Sequence, residues 1–442
     1  MPPNIFLISL DSLRADYVFS PEKSSITPNL DQLISNGTYF TNAFSTADNT
    51  FVSWISLLTS LFPINSKINP YKFDSDIKSF VEIFKNNDYK TFCFFPDISF
   101  FKIISEKFDD SVLYDYTIRD DFLKLGGGLL NQIIKKIKSQ KKSESWFNCI
   151  HLMDYKAPFE VPDEFNHEKF GKNKYEKMLS YLDTQLGKIF ENIDFENSII
   201  VFSSDHGDYI PIKDQDIRSI PTIQNIMKKG KNHFPFLEPA GVKAFELIRE
   251  STAKIRKQKK KRVLNNLEMR SFMDRNRDVL YDEVIHVPLL FFGKNIPSMK
   301  IPKLARHVDI LPTVCSLCNL SYSKTDYDGA NLSPMFGGNK MEELVAYIES
   351  GPSNKDLDGK VIGIRTSRYK YFRSRTNPSD NTHLYDKLND PSEERNIAKD
   401  LPETVNSMEK HLLKLQNDTD TDELSDSERD MIQEELKKLG YI

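Results

Sequence analysis

At 442 residues, 39% of them hydrophobic and 12% aromatic, the chain can bury a core the size of one large domain plus a smaller one. Its 60 Lys and Arg against 64 Asp and Glu give a net charge of −4, so the overall balance does not argue for nucleic acid or an anionic membrane as partner. No run reaches the roughly 20 apolar residues of a spanning helix. Met1-Pro2-Pro3 leads straight into the first apolar run, leaving no room for a secretory signal, and the expected location is cytoplasmic.

Taken in chain order, the pattern predicts strands near residues 4–10, 90–95, 145–151, 198–202 and 286–292, with helices over 26–36, 52–61, 79–87, 174–193 and 310–318. The runs NIFLISL and SIIVF are continuous rather than alternating, as in strands covered on both faces. Such alternation of strand and helix predicts an α/β fold with a mixed, mostly parallel sheet. Cys93 and Cys149 lie in apolar runs and read as small buried hydrophobes; Cys315 and Cys318 lack the second pair that a zinc site needs and read as core. After Asp328-Gly329 the pattern changes to short strands at 344–348, 361–366 and 369–373, followed by amphipathic helices at 403–415 and 427–439. The expected division is a catalytic domain over 1–340, carrying an insertion at about 211–276, and a C-terminal subdomain over 341–442.

Two of the strands end in acid: the first runs into Asp11, the fourth into Ser203-Ser204-Asp205-His206-Gly207-Asp208. Ligands of open α/β sheets gather where such strands end. Two carboxylates with an adjacent imidazole suit a divalent cation; taken alone, Asp11 or Asp205 could instead cap the helix that follows, a reading that weakens for the two together. Between them stands Asn49-Thr-Phe-Val-Ser-Trp-Ile-Ser-Leu-Leu-Thr-Ser-Leu-Phe-Pro63, which resembles the sulfatase signature. In that signature a nucleophile is followed by x-Pro-Ser-Arg, two residues and Leu-Leu-Thr-Gly; aligned on Leu57-Leu58-Thr59, the nucleophile position falls on Thr50. Asp11-Ser-Leu-Arg-Ala-Asp16, Ser204-Asp205-His206-Gly207, Tyr281-Asp282-Glu283 with Val287-Pro288-Leu289, Asp309-Ile-Leu-Pro-Thr313 and Leu384-Tyr385-Asp386 are similar to further landmarks of the family, in its order, over about residues 3 to 400. The resemblance implies an alkaline-phosphatase-like sheet sandwiched by helices, with a small C-terminal α+β subdomain.

Departures from the family pattern bear on the chemistry. A Thr at the nucleophile position is not expected to give the formylglycine aldehyde made there from Cys or Ser, and Val52 and Trp54 replace the Pro and Arg that guide that modification. Ser12 replaces a second Asp, and Lys156 a substrate-binding His. The remaining set, Asp11, Thr50, Asp205 and His206, resembles the single-metal site of the wider alkaline phosphatase superfamily, whose phosphodiesterases and phosphoglycerol or phosphoethanolamine transferases use a Thr nucleophile. One divalent ion (Mn, Mg, Zn or Ca) would lower the hydroxyl pKa of Thr50. A helix N-cap is the other reading of Thr50.

Lys156 would act as a point charge on a phosphate or sulfate oxygen, or else is a surface lysine. His151 and Asp154 flank it as groups that orient it or protonate a leaving group. His286 and His307, at strand and loop edges, are weighed as touching the site, His286 on its substrate side. The basic run Lys254-Ile-Arg-Lys-Gln-Lys-Lys-Lys-Arg262 within the insertion is either a solvated face or a lid that draws a polyanionic substrate or a phospholipid headgroup. It lacks the aromatic interleaving of a nucleic-acid surface. The reading is a metal-dependent hydrolase or transferase of a phosphate or sulfate ester. The alternatives are a sulfuric ester hydrolase working without formylglycine, and a scaffold without catalysis that binds a polyanion or a protein partner.

Overall fold

A computed structural model describes residues 1–66, 79–116, 125–155, 159–210, 269–270, 278–323, 326–352 and 359–416. Eight strands form the main sheet: β1 Asn4–Leu10, β2 Thr38–Phe44, β3 Tyr89–Pro96, β4 Asp110–Tyr114, β5 Ser145–Leu152, β6 Ser198–Ser204, β7 His286–Gly293 and β8 Met299–Arg306. Their order is β4-β3-β5-β1-β6-β7-β2-β8. Strands β4, β3, β5, β1 and β6 run parallel, β7 is antiparallel to both its neighbours, and β2 pairs parallel with β8. This is the mixed, mostly parallel sheet of the alkaline-phosphatase-like fold. Strand β1 lies at its centre, and Ile5 to Leu10 are all buried, which is why the run is continuous rather than alternating.

The pairing of β1 with β6 builds the site. Ser9 lies beside Ser203 and Leu10 beside Ser204, so the next residue on each strand, Asp11 and Asp205, leaves the sheet at the same edge. On the other side of β1, Ser9 lies beside His151 of β5. The helix Thr50–Thr59 is buried along all ten residues, as its apolar sequence requires. Asn49 is its N-cap, with the side chain accepting from Val52 N. Thr50 is therefore the first helical residue and not the cap that its sequence context allowed.

A second, antiparallel sheet follows, in the order β12-β11-β10-β9, from β9 Ala346–Glu349, β10 Val361–Arg365, β11 Tyr369–Ser374 and β12 His383–Asp386. The helix Pro402–Leu415 covers it, setting Met408 and Leu412 against Ile362, Ile364 and Tyr371. Its edge reaches the turn before Thr50: Ala47 pairs with Glu349, and Glu349 N donates to Thr46 O. The helix expected at 427–439 lies outside the described residues. By internal contacts the chain has two compact units, Met1–Asp208 with Arg275–Ile442, and Tyr209–Asp274. Among the described residues no helix is long and apolar enough to cross a membrane.

Candidate metal and nucleophile site

After β1 the chain turns sharply, with Ser12 in the left-handed region at φ 64°. The turn brings Ser12 N to Asp205 Oδ1 at 3.1 Å, and His206 N reaches the same oxygen at 2.9 Å. Asp205 Oδ2 is left facing His206 Nε2 at 3.6 Å and His151 Nε2 at 3.8 Å. Asp11 Oδ1 accepts from Ser12 Oγ at 3.1 Å and lies 3.5 Å from His206 Nε2. Asp11, Asp205 and His206 thus place one ligand atom each within 4.8 Å of one another, all buried.

His206 Nδ1 is 2.8 Å from the Gly207 carbonyl. A carbonyl only accepts, so Nδ1 carries a proton and Nε2 is the ring nitrogen turned toward the carboxylates, the orientation a metal ligand needs. Thr50 Oγ1 lies 3.3 Å from that Nε2, at the positive end of its helix. Burial, and then the neighbouring Asp11, raise the Asp205 carboxyl well above the usual carboxylate range. Two buried carboxylates disfavour sharing a site when both are ionised, and a divalent cation removes that conflict. The donor set therefore fits a hard or borderline cation.

The supporting contacts are tight. Ser204 Oγ accepts from Leu13 N at 2.8 Å and donates to His206 O at 2.6 Å. Gly207 N donates to Val284 O, and a Cβ at Gly207 would meet Glu283 O at 2.2 Å, so only glycine fits there. His307 Nε2 donates to Ser204 O at 2.9 Å.

The family model described as Sulfatase matches residues 3–320, and one described as N-sulphoglucosamine sulphohydrolase, C-terminal, matches 269–418. The chain belongs to the sulfatase family. Members of this family are metal-dependent. A Delta 4,5-hexuronate-2-O-sulfatase of Bacteroides thetaiotaomicron is 30% identical over 128 residues, covering 27% of this chain and 26% of that protein. Arylsulfatase K of Mus musculus is 25% identical over 145 residues, again 26% of that protein, so the chain spans about a quarter of the length of these relatives. Arylsulfatase K of Canis lupus familiaris aligns over 94% of this chain and 82% of its own length at 21% identity. Among solved structures, a phosphonate monoester hydrolase of Agrobacterium radiobacter superposes with a TM-score of 0.67 at 17% identity, covering 94% of this chain and 95% of its own. A putative sulfatase of Bacteroides fragilis gives 0.68 at 19% identity, covering 94% and 96%. At these identities the likeness shows the fold.

The other candidate residues fall in different places. His151 is buried edge-on against Trp54 and beside Phe101, with ring centroids at 5.0 and 5.3 Å, and faces Asp205. Asp154, in the turn after β5, accepts from Leu125 N at 2.9 Å. Lys156 and the basic run 254–262 lie outside the described residues. His286 stands apart: Nε2 donates to Thr41 O at 2.8 Å, the ring stacks on Phe44 at 5.2 Å, and burial lowers its pKa. The sequence reading did not pick out Asn49 as the cap, Ser204 as the brace of the turn, or the left-handed Ser12.

Proposed function

We propose that the chain transfers a phosphoryl or sulfuryl group from an anionic ester to water or an alcohol, with the Thr50 hydroxyl as nucleophile. The observation that carries this is the 3.3 Å approach of Thr50 Oγ1 to His206 Nε2, beside two buried carboxylates. Asp11, Asp205 and His206 would hold one divalent cation (Mn, Mg, Zn or Ca), which when bound acidifies the hydroxyl and draws charge from the ester oxygens. Thr50 Oγ then bonds to phosphorus or sulfur as the bond to the leaving oxygen breaks. Its first-turn position on a buried helix fixes the line of attack, and the helix N-terminus favours the anionic group. His151, turned to Asp205 Oδ2, is the candidate that returns a proton to the leaving oxygen. Lys156 would pair with a non-bridging oxygen. Water or an alcohol completes the turnover by releasing the group from Thr50.

Phosphate esters are favoured because Thr50 needs no modification to attack them. Sulfate esters stand second, on the strength of the hexuronate 2-O-sulfatase among the relatives. The test is a metal-reconstituted screen with aryl sulfate, phosphate monoester, phosphate diester and phosphonate side by side. Thr50→Ala is expected to lower turnover by at least about a thousand-fold with metal retained, and Thr50→Ser to keep measurable activity. Full activity in Thr50→Ala sinks the nucleophile assignment. Asp205→Ala is expected to abolish metal retention; unchanged metal content would remove the site.

A further inference from the structure

Asn49, immediately before Thr50, is fully buried, and its side chain uses only one of its two polar atoms. Oδ1 accepts from Val52 N at 3.0 Å. An N–H needs an acceptor, so this bond fixes which end of the amide faces the helix and leaves Nδ2 pointing away from it. Nδ2 has no hydrogen-bond partner. Buried donors without an acceptor are rare in folded proteins and call for a missing partner.

The amide is also held in place from the far side. It lies against the bare Cα of Gly351, where a Cβ would come 2.0 Å from Nδ2 and 2.4 Å from Cγ. Gly351 is not among the positive-φ residues, so its lack of a side chain serves space and not backbone conformation. Gly351 N in turn donates to Asp48 Oδ1 at 2.6 Å, and the Ala47–Glu349 pairing ties the same two segments together. The second sheet thus fixes an unused NH2 group at the start of the helix whose first residue is Thr50.

We propose that Asn49 Nδ2 donates to a non-bridging oxygen of the ester group that Thr50 attacks, making Asn49 a catalytic residue. This rests on the nucleophile reading of Thr50. The chemistry suits a phosphate or sulfate ester: its non-bridging oxygens accept only, and they gain charge as the nucleophile closes. A neutral amide donates to them at any pH in the working range, whereas a carboxylate in its place repels them.

Serine and aspartate both cap helices about as well as asparagine, so Asn49→Ser and Asn49→Asp keep the acceptor for Val52 N and remove the NH2 group. Orthovanadate binding to the metal-loaded full-length protein, followed by calorimetry, reads the oxyanion contact without needing turnover. Asn49→Ser is expected to weaken vanadate by about 10- to 100-fold with melting temperature and metal content unchanged, and Asn49→Asp, which also adds a buried charge, to weaken it by more. The order matters, because a capping role alone predicts no loss in either variant. Wild-type affinity in both would overturn the proposal and leave a buried water as the partner of Nδ2. If either variant fails to fold, Gly351→Ala displaces the amide with the cap chemistry intact, and unchanged vanadate affinity there overturns the proposal as well. Thr50→Ala, measured in parallel, separates the two claims: if it turns over an aryl phosphate normally, the nucleophile reading fails, while a vanadate loss confined to the Asn49 variants still identifies the donor. No vanadate binding by wild type would overturn the donor assignment.

Discussion

His307 shows how one side chain near the site couples it to pH. Burial pushes its pKa down to about 3, and the ring stays neutral while Nε2–H holds the Ser204 carbonyl one residue before Asp205. Its folded pKa lies below the ordinary value of 6.5, so the unfolded chain takes up the proton first as pH falls. The stability it contributes is therefore complete above pH about 6.5 and is lost from there down toward pH 3. Between pH 7 and pH 4.5 this one residue should cost about 2–3 kcal/mol. In urea unfolding with chelator present, the advantage of wild type over His307→Gln should shrink by about that amount across the same interval. A constant difference would show that His307 is not the titrating group. At this scale the three residues that the structure groups at the sheet edge, Asp11, Asp205 and His206, were legible where an apolar strand ended in acid. Asn49 was missed because helix starts read from apolar rhythm begin where the rhythm does, at Val52. His286 looked like a site residue because the pairing that sets it opposite Phe44 belongs to β2, which the sequence did not reveal.

Among the elements, a buried charge cluster is one tie between the second sheet and the segment that leads into β7 of the main one. Lys370 of β11, fully buried, bonds Asp282 and Glu393 at 2.9 Å each; Lys387 bonds the same two at 3.0 and 3.2 Å. Burial alone would raise the Asp282 carboxyl, but Lys370, Lys387 and Arg365 hold it well below the usual range. Removing one partner leaves an uncompensated buried charge, so Lys370→Met should cost about 3–5 kcal/mol. Asp282 also begins the short helix Asp282–Ile285, whose Val284 carbonyl receives Gly207 N. Lys370→Met is thus expected to weaken metal binding as well as stability, whereas Arg395→Ala, which breaks an exposed pair with Asp400, should change neither by more than about 0.5 kcal/mol. Equal metal affinity in the two would sever the link from cluster to site. Strands β1, β3, β5, β6 and β7 were readable because both their faces are covered. Strand β8 was not: as an edge strand it carries Lys300, Pro302 and Lys303, which interrupt the apolar run. Strand β2 pairs with a register break between Phe40 and Ala43, which breaks its alternation.

For the molecule as a whole, the two carboxylates at the sheet edge act against the metal-free fold. With Asp205 raised by burial and by Asp11, the metal-free protein carries a strain that a bound cation would relieve. A saturating divalent ion at 100 times its Kd contributes about 2.7 kcal/mol, so the melting temperature should rise with ion concentration and fall back with chelator. Metal-free Asp205→Asn should melt higher than metal-free wild type, since it removes one of two like charges, and should not respond to the ion. A metal-free variant that melts lower than wild type would mean that the Asp205 charge is already compensated within the protein.

The register of β1 against β6 carries a kinetic consequence. Ser12 N and Asp205 Oδ1 are 193 residues apart, and the two carboxylates meet only when Leu10 lies beside Ser204. Slipping either strand by one residue turns its side chains to the opposite face of the sheet. An ion held by Asp11, Asp205 and His206 would therefore recognise a single pairing of two distant segments. During synthesis such an ion would have nothing to bind until the sixth strand has emerged and docked on the first, so that pairing would set the earliest moment of metal uptake.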